Sequence, residues 1–139
     1  MEIIFVRHGQ SIQNVAFQKN ERYDPNNICL TELGEKQAEI TGEYLKTFGK
    51  YDVIYSSPLL RVVQTSNIIK NKLGYKNDII IDDRLEEHNL GVIDEGLNND
   101  EIEKYINKNP EIIQNKLFRF VDLNKWKDNN KKCDELFVE

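Results

Sequence analysis

The stretch that decides the fold is Glu2-Ile3-Ile4-Phe5-Val6-Arg7-His8-Gly9, an apolar run that ends abruptly in two basic side chains and a glycine. A continuous apolar run of this length is typical of a strand buried on both faces. Further apolar runs at 51–55 and 79–81 follow helical stretches. Strands that alternate with helices predict an α/β fold, in which helices cover a parallel sheet.

The helices between these strands have recognisable ends. Thr31 is a suitable N-cap for a helix that Gly49 closes, and Ser57-Pro58 is a suitable start for a helix that stops at Gly74. Further helices are expected over 11–20, 100–107 and 110–126, and 20–29 and 82–99 are expected to be mostly loop. In the helix after Thr31, the side chains predicted to form one buried stripe are Leu33, Ala38, Thr41, Leu45 and Phe48.

Composition excludes several function classes. The 139 residues fit a single domain spanning 1–139, and the net charge of −5 argues against binding to nucleic acid or to an anionic membrane surface. There is no run of 18 apolar residues, so no membrane span is expected. Cys29 and Cys133 make neither a metal-binding spacing nor a disulfide framework, which favours the reducing cytoplasm.

Basic side chains follow two of the predicted strands. Arg7 and His8 end the first, and Ser57 and Arg61 follow the second. Because ligands of parallel sheets bind at the carboxyl ends of the strands, these residues are expected to converge. Arginine forks and a helix N-terminus suit a phosphate, and a neutral imidazole can attack phosphorus. The sequence therefore predicts an anion site with a nucleophile.

Four ordered blocks of the chain resemble the histidine phosphatase superfamily, the phosphoglycerate mutase-like proteins. They are Arg7-His8-Gly9-Gln10-Ser11-Ile12-Gln13-Asn14, then Leu30 to Ala38, then Ser56-Ser57-Pro58-Leu59-Leu60-Arg61-Val62-Val63-Gln64-Thr65, and last Leu85 to Gly91. The resemblance implies a three-layer α/β/α fold with a mainly parallel sheet. It also implies a phosphohistidine mechanism without metal or organic cofactor.

The resemblance also implies a role for each matching residue. His8 would be the nucleophile, and Arg7, Arg61 and Asn14 would hold the phosphate oxygens. Glu87 would be the proton donor because it lies four residues before Gly91, with Glu86 as the rival carboxylate. Ser57 would touch the phosphate or serve as a helix cap, and both assignments stay open. Thr31, Gly34 and Ala38 are expected to act as a cap, a close-approach site and a core residue.

The sequence departs from the family pattern at its C-terminal end. The family has a late strand beside the first one, and a second histidine at its end completes the phosphate pocket. This chain has only His8 and His88, and no long apolar run follows Trp126. We therefore expect a C-terminally incomplete domain with impaired turnover, and either low stability as a monomer or a homodimer formed through the uncovered sheet edge.

Two functions from different classes remain at this stage. The first is a phosphomonoester hydrolase, or a phosphoglycerate mutase-type phosphotransferase, that acts on a small phosphomonoester or a phosphoprotein. The second is a non-catalytic module that binds a phosphorylated ligand or a partner through Arg7, His8 and Arg61. The missing histidine favours the second function, whereas the presence of Glu87 favours the first, since a binding module needs no proton donor.

Overall fold

A computed structural model of the chain describes residues 2–87 and 94–109. The helices in this part are α1 (Ile12–Lys19), α2 (Glu32–Leu45), α3 (Leu60–Leu73) and α4 (Asn99–Lys108), and the strands are β1 (Tyr55–Ser56) and β2 (Ile80–Ile81). Single 3₁₀ turns lie at Lys46–Phe48 and Asp83–Leu85. The helix predicted over 110–126 lies outside the described residues, as do His88 and Gly91.

The described residues fall into two compact units. The first contains residues 2–12 and 29–82, and the second contains residues 13–28, 83–87 and 94–109. The single domain expected from the sequence, spanning 1–139, stays a prediction.

The first unit contains the predicted parallel strand–helix–strand arrangement. β1 and β2 pair in parallel, with Tyr55 opposite Ile80 and Ser56 opposite Ile81, and α3 connects them. The amide of Ile80 donates to the carbonyl of Ile54 at 2.9 Å, and the amide of Asp82 donates to that of Ser56 at 2.9 Å. β2 lies inside the run predicted at 79–81, whereas β1 overlaps the run predicted at 51–55 only at Tyr55 and extends one residue beyond it.

Small residues, and not the predicted leucine and phenylalanine, form the buried face of α2. Leu33 and Phe48 are 51% and 53% exposed, whereas the buried row of the helix is Gly34, Ala38, Gly42 and Leu45. A side chain at Gly42 would lie 2.7 Å from Cβ of Lys72 and 3.3 Å from Cα of Ile69, both on α3. The predicted stripe is therefore confirmed at Ala38 and Leu45 and wrong at Leu33 and Phe48, because the close approach of α2 and α3 buries the row that contains Gly42.

The first predicted strand does not form a strand in the described part of the chain. Residues 2–6 take part in no strand pairing there, and Phe5 is 91% exposed. Ile3, Ile4 and Val6 are exposed as well. The prediction of a doubly buried strand was therefore wrong. A strand needs a hydrogen-bonded neighbour, and the described residues place none beside this segment.

The start of α3 also differs from the prediction. Its N-cap is Leu59, whose carbonyl accepts from the amides of Val62 at 2.8 Å and Val63 at 3.0 Å. Ser57 is therefore not the N-cap, although its hydroxyl accepts from the amide of Leu59 at 3.3 Å. The C-terminus matches the prediction, because α3 ends at Gly74 in the left-handed conformation with φ 66°.

The second unit is held by a small apolar core and a cap on α4. Ile102 and Ile106 are buried against Phe17, Leu97 and Tyr105. Asn98 and Glu101 form a reciprocal capping box at the start of α4.

An ion pair reinforces this start of α4. The Arg22 guanidinium donates through Nε to the two carboxylate oxygens of Glu101 at 2.9 and 2.8 Å. This hydrogen bonding, together with the backbone amide of Asn98, lowers the pKa of Glu101 to about 2.

Candidate active site

The loop that carries His8 lies against the start of α2, where two glycines meet. A Cβ on Gly9 would lie 2.3 Å from the carbonyl oxygen of Gly34, and a Cβ on Gly34 would lie 2.1 Å from the carbonyl oxygen of Gln10. No side chain fits between these two backbones. The predicted close approach at Gly34 is therefore confirmed, and it fixes the loop against α2.

Polar side chains from α2 and its cap hold the next residue, Gln10. Its amide donates to Oε1 of Gln37 at 2.8 Å, and its carbonyl accepts from the amide of Thr31 at 2.9 Å. The Thr31 hydroxyl lies 2.8 Å from Oε1 of Gln10 and accepts from the amide of Gly34 at 3.1 Å, which confirms Thr31 as the N-cap.

His8 has one defined tautomer in this arrangement. Its Nδ1 lies 2.7 Å from the carbonyl oxygen of Gly9, which can only accept, so Nδ1 carries the proton. Its Nε2 lies 3.2 Å from Nε of Arg61, which can only donate, so Nε2 is unprotonated. The imidazole therefore has its lone pair on Nε2, beside a guanidinium, and this nitrogen can act as a nucleophile.

Arg61 lies in the first turn of α3 and is 7% exposed. A guanidinium presents five donors in a planar fork, so it can contact Nε2 of His8 and still offer donors to an oxyanion at the same place. The structure thus brings together two of the predicted site residues, the nucleophile and one phosphate-holding arginine.

The other predicted residues of the first unit have different surroundings. Ser57 is buried at 4% exposure, and its hydroxyl accepts from the amide of Leu59, but Ser57 is not the N-cap of α3. Arg7 is exposed and directly precedes His8. Contact of Ser57 or Arg7 with a phosphate stays a prediction.

Asn14 and the two candidate acids belong to the second unit. Asn14 is half-buried on α1, Glu86 is half-buried, and Glu87 is exposed. The role of Asn14 in holding phosphate and that of Glu87 as proton donor stay predictions, and so does the choice between Glu87 and Glu86.

Sequence reasoning assigned no role to Thr65, Gln64 or Gln37, which hold the site together. Thr65 accepts from the amide of Gly9 at 3.1 Å, and Oε1 of Gln64 accepts from the amide of Leu30 at 2.8 Å. The available signal was the polar pair Gln64-Thr65 in the first half of α3, one turn after Arg61. A buried polar side chain requires a partner.

Over 2–87 and 94–109, no three side chains of His, Cys, Asp or Glu are grouped so that they could hold a metal ion. Over the same residues, no helix has the length and apolar character needed to cross a membrane.

Known proteins resemble this chain over most of its length. The 2,3-bisphosphoglycerate-dependent phosphoglycerate mutase of Cytophaga hutchinsonii is 38% identical over 104 residues, which are 74% of this chain and 46% of that protein. The corresponding enzyme of Corynebacterium diphtheriae is 39% identical over 107 residues, which are 75% of this chain and 42% of that protein. The chain thus spans less than half the length of these relatives.

Solved structures give the same result for the fold. A mycobacterial glucosyl-3-phosphoglycerate phosphatase, solved with VO3, matches with a TM-score of 0.60 and 30% identity over 75% of this chain and 48% of that one. A phosphoserine phosphatase of Entamoeba histolytica, solved with 3-phosphoglyceric acid, matches with a TM-score of 0.57 and 24% identity over 85% of this chain and 55% of that one. These likenesses support the expected phosphoglycerate mutase-like α/β fold.

The family model for the histidine phosphatase superfamily (branch 1) matches residues 3–137. This match extends beyond the four sequence blocks into the C-terminal residues, where the sequence alone indicated only helical character. The chain belongs to the histidine phosphatase superfamily, branch 1.

Proposed function

We propose that this chain is a phosphomonoester phosphatase that acts through phosphohistidine at Nε2 of His8. The contact between Arg61 Nε and His8 Nε2, 3.2 Å long, is the observation that carries the proposal. It places the unprotonated Nε2 of His8 beside the buried guanidinium of Arg61. Phosphoryl transfer needs a nucleophile and a phosphate-binding group side by side in this way.

The first step transfers the phosphoryl group to the enzyme. The Nε–H of Arg61 turns from Nε2 of His8 to a phosphate oxygen, which releases the lone pair of Nε2. Nε2 then attacks phosphorus, and the bond from phosphorus to the ester oxygen breaks. Glu87 donates a proton to the leaving oxygen, so that an alcohol departs. The carbonyl of Gly9, which accepts from Nδ1 at 2.7 Å, stabilises the positive charge that the ring acquires.

The second step returns the enzyme to its starting state. The Glu87 carboxylate takes a proton from water, the water oxygen bonds to phosphorus, and the bond from phosphorus to Nε2 breaks. Inorganic phosphate leaves, and the lone pair returns to Nε2. If the acceptor is a hydroxyl of a phosphoglycerate in place of water, the same two steps give mutase-type phosphotransfer.

Small phosphorylated acids are the proposed substrates. Two phosphoglycerate mutases and a glucosyl-3-phosphoglycerate phosphatase are among the proteins that this chain resembles, and each is named for a phosphoglycerate compound. 3-Phosphoglycerate is therefore the first compound to test, with phosphoserine and a phosphopeptide as comparisons. The composition that favours the reducing compartment leads us to propose the cytoplasm as the place of action.

Phosphate release from 3-phosphoglycerate and from p-nitrophenyl phosphate tests the proposal. Wild-type chain and His88→Ala are expected to release phosphate, whereas His8→Ala is expected to release none. His88→Ala is the matched control because it removes the only other histidine of the chain. Equal release by His8→Ala and wild type contradicts the proposal.

The second candidate function is a non-catalytic module that binds phosphorylated ligands. The observation that favours it is the histidine content, since only His8 and His88 are present. This candidate predicts that wild-type chain binds orthovanadate or phosphate through Arg61 but neither releases phosphate from an ester nor acquires a covalent phosphoryl group.

We also propose that a second copy of this chain covers segment 2–6. Phe5 is 91% exposed, and this apolar segment has no strand partner among the described residues. Unpaired apolar edges are templates for pairing with another chain. Sedimentation equilibrium is expected to give a dimer for wild-type chain and a monomer for Phe5→Lys, and a monomeric wild-type chain overturns this proposal.

A further inference from the structure

We propose that Thr65 is a positioning residue whose single hydroxyl holds His8 in place beside Arg61 for phosphoryl transfer. This inference deepens the proposed function and rests on it for its catalytic consequence. The effect of Thr65 on the position of the His8 ring can be measured without any substrate.

The Thr65 hydroxyl makes two hydrogen bonds with fixed directions. It donates to the carbonyl of Arg61 at 2.8 Å, which directs its proton toward α3 and leaves its lone pairs for another donor. The amide of Gly9 supplies that donor at 3.1 Å. Thr65 is 4% exposed, so water does not compete readily for either bond.

These two bonds tie together the two groups that perform the chemistry. Gly9 directly follows His8, and its carbonyl also accepts from Nδ1 of the ring. The amide and the carbonyl of Gly9 are therefore both engaged, one by Thr65 and the other by the nucleophile. Thr65 lies one turn after Arg61 on α3, so its bond to the Gly9 amide holds the backbone beside His8 against the helix that carries the arginine.

Loss of the hydroxyl is expected to act on geometry first. Valine has nearly the shape of threonine but cannot accept a hydrogen bond, so Thr65→Val leaves the buried amide of Gly9 without its partner. A displacement of about 1 Å at a reacting group can slow a reaction about a hundredfold. Thr65→Ser keeps the hydroxyl and is expected to retain the geometry.

The experiment compares the full-length wild-type chain with Thr65→Val, Thr65→Ser and Thr41→Val. Thr41 is the matched control, because its hydroxyl makes the same bond to the carbonyl four residues earlier, at 2.8 Å to Gln37, on α2. Hydrogen exchange is measured at the Gly9 amide, and nitrogen NMR reports which ring nitrogen of His8 carries the proton. Only two histidines contribute to that spectrum, and His88→Ala assigns them.

The expected results separate positioning from general stability. In wild type the Gly9 amide is protected, and Thr65→Val lowers its protection about 5- to 150-fold, the range for a buried donor that loses its partner. The signals of the His8 ring shift in Thr65→Val, return to wild-type positions in Thr65→Ser, and stay unchanged in Thr41→Val. The rate of His8 phosphorylation at saturating substrate falls about a hundredfold in Thr65→Val and recovers in Thr65→Ser.

Three results overturn the inference. The first is a Gly9 amide that exchanges without protection in wild type. The second is a nitrogen NMR spectrum of Thr65→Val in which the His8 signals are unchanged. The third is a lower melting temperature in Thr65→Val with an unchanged rate of His8 phosphorylation. If Thr65→Val does not fold, the inference is tested by the hydrogen exchange of the Gly9 amide in wild type and by the His8 ring signals of Thr65→Ser compared with those of wild type. If wild type shows the expected exchange and ring signals but no phosphorylation, the proposed function fails and the placement of His8 by Thr65 stands.

Discussion

The contact between the His8 loop and α2 makes Gly34→Ala a strong perturbation. The added Cβ would lie 2.1 Å from the carbonyl oxygen of Gln10, 2.9 Å from its nitrogen and 3.0 Å from its carbonyl carbon. Heavy atoms normally approach to about 3.5 Å, so the loop must retreat by about 1.4 Å. Because all three obstructing atoms are backbone, no change of side-chain rotamer relieves the contact.

The size of the effect follows from two opposing terms. Overpacking in a close-packed region costs about 1–3 kcal/mol, and immovable backbone places Gly34→Ala at the upper end of this range. Alanine gains about 1 kcal/mol over glycine inside a helix. We therefore expect Gly34→Ala to lower the free energy of unfolding by about 2 kcal/mol, a factor of about 30 in the folding equilibrium.

Gly42→Ala is the matched control on the same helix. Its added Cβ would lie 2.7 Å from Cβ and 3.2 Å from Cγ of Lys72, and 3.3 Å from Cα of Ile69. The nearest obstruction is Cβ of Lys72, which moves only with the backbone of α3, so the two helices must separate by about 0.8 Å, less than the retreat that Gly34→Ala requires. The alanine gains the same helix propensity. We expect its free energy of unfolding to stay within about 1 kcal/mol of wild type.

Urea unfolding of both variants measures the difference through the midpoint and the slope. Gly34→Ala is also expected to slow phosphorylation of His8, because the retreat of Gln10 moves the neighbouring loop. The reasoning is refuted if Gly34→Ala is as stable as wild type, or if Gly42→Ala is the more damaging of the two.

Three further predictions concern single charged groups. Glu87→Gln is expected to slow hydrolysis of alkyl phosphates far more than hydrolysis of p-nitrophenyl phosphate, because only a poor leaving group needs a proton from the acid. If Glu86→Gln shows this pattern and Glu87→Gln does not, the acid is Glu86. Arg61→Lys keeps the charge but loses the planar fork, so the rate of His8 phosphorylation should fall about a hundredfold or more in a rapid-quench measurement, and a rate equal to wild type counts against the role of Arg61. Hydrogen bonding to Arg22 lowers the pKa of Glu101 from 4.5 to about 2, so the Glu101 carboxylate stabilises α4 above pH 4.5 and this stabilisation is lost as the pH falls from 4.5 to about 2. Circular dichroism should show this acid-induced loss of helix in wild type and not in Glu101→Gln, and identical acid transitions in the two proteins would refute the assignment.

The sequence predicted the start of α2 and the end of α3 because both end signals are local. The Thr31 cap and the Gly74 stop lie where the pattern placed them, since capping depends only on neighbouring residues. The identity of the buried row on α2 could not be predicted in the same way. Leu33 has the greater apolar area, but Gly42 faces α3, because the close approach of two helices decides which row is buried.

The strand expected over 2–6 shows a second limit of local reasoning. Its apolar side chains indicate that the segment can be buried, but they carry no information on which strand lies beside it. Phe5 is therefore exposed in a segment with a strong strand pattern.

The sequence indicated which two residues meet at the candidate site but not how they are arranged there. The resemblance to the histidine phosphatases pointed to His8 and Arg61, and the structure brings them within 3.2 Å. The tautomer of His8 and the bonds of Thr65 depend on which backbone groups the fold brings near, so no sequence pattern could give them.

The most direct test of the central claim is mass spectrometry of the chain after brief mixing with 3-phosphoglycerate or p-nitrophenyl phosphate and a quench in alkali, which preserves phosphohistidine. The account predicts one added phosphoryl group in wild type and in His88→Ala, mapped by fragmentation to His8, labile to acid and absent from His8→Ala. A wild-type chain that turns over either compound without this group, or a group that persists in His8→Ala, would contradict the assignment of His8 as the nucleophile.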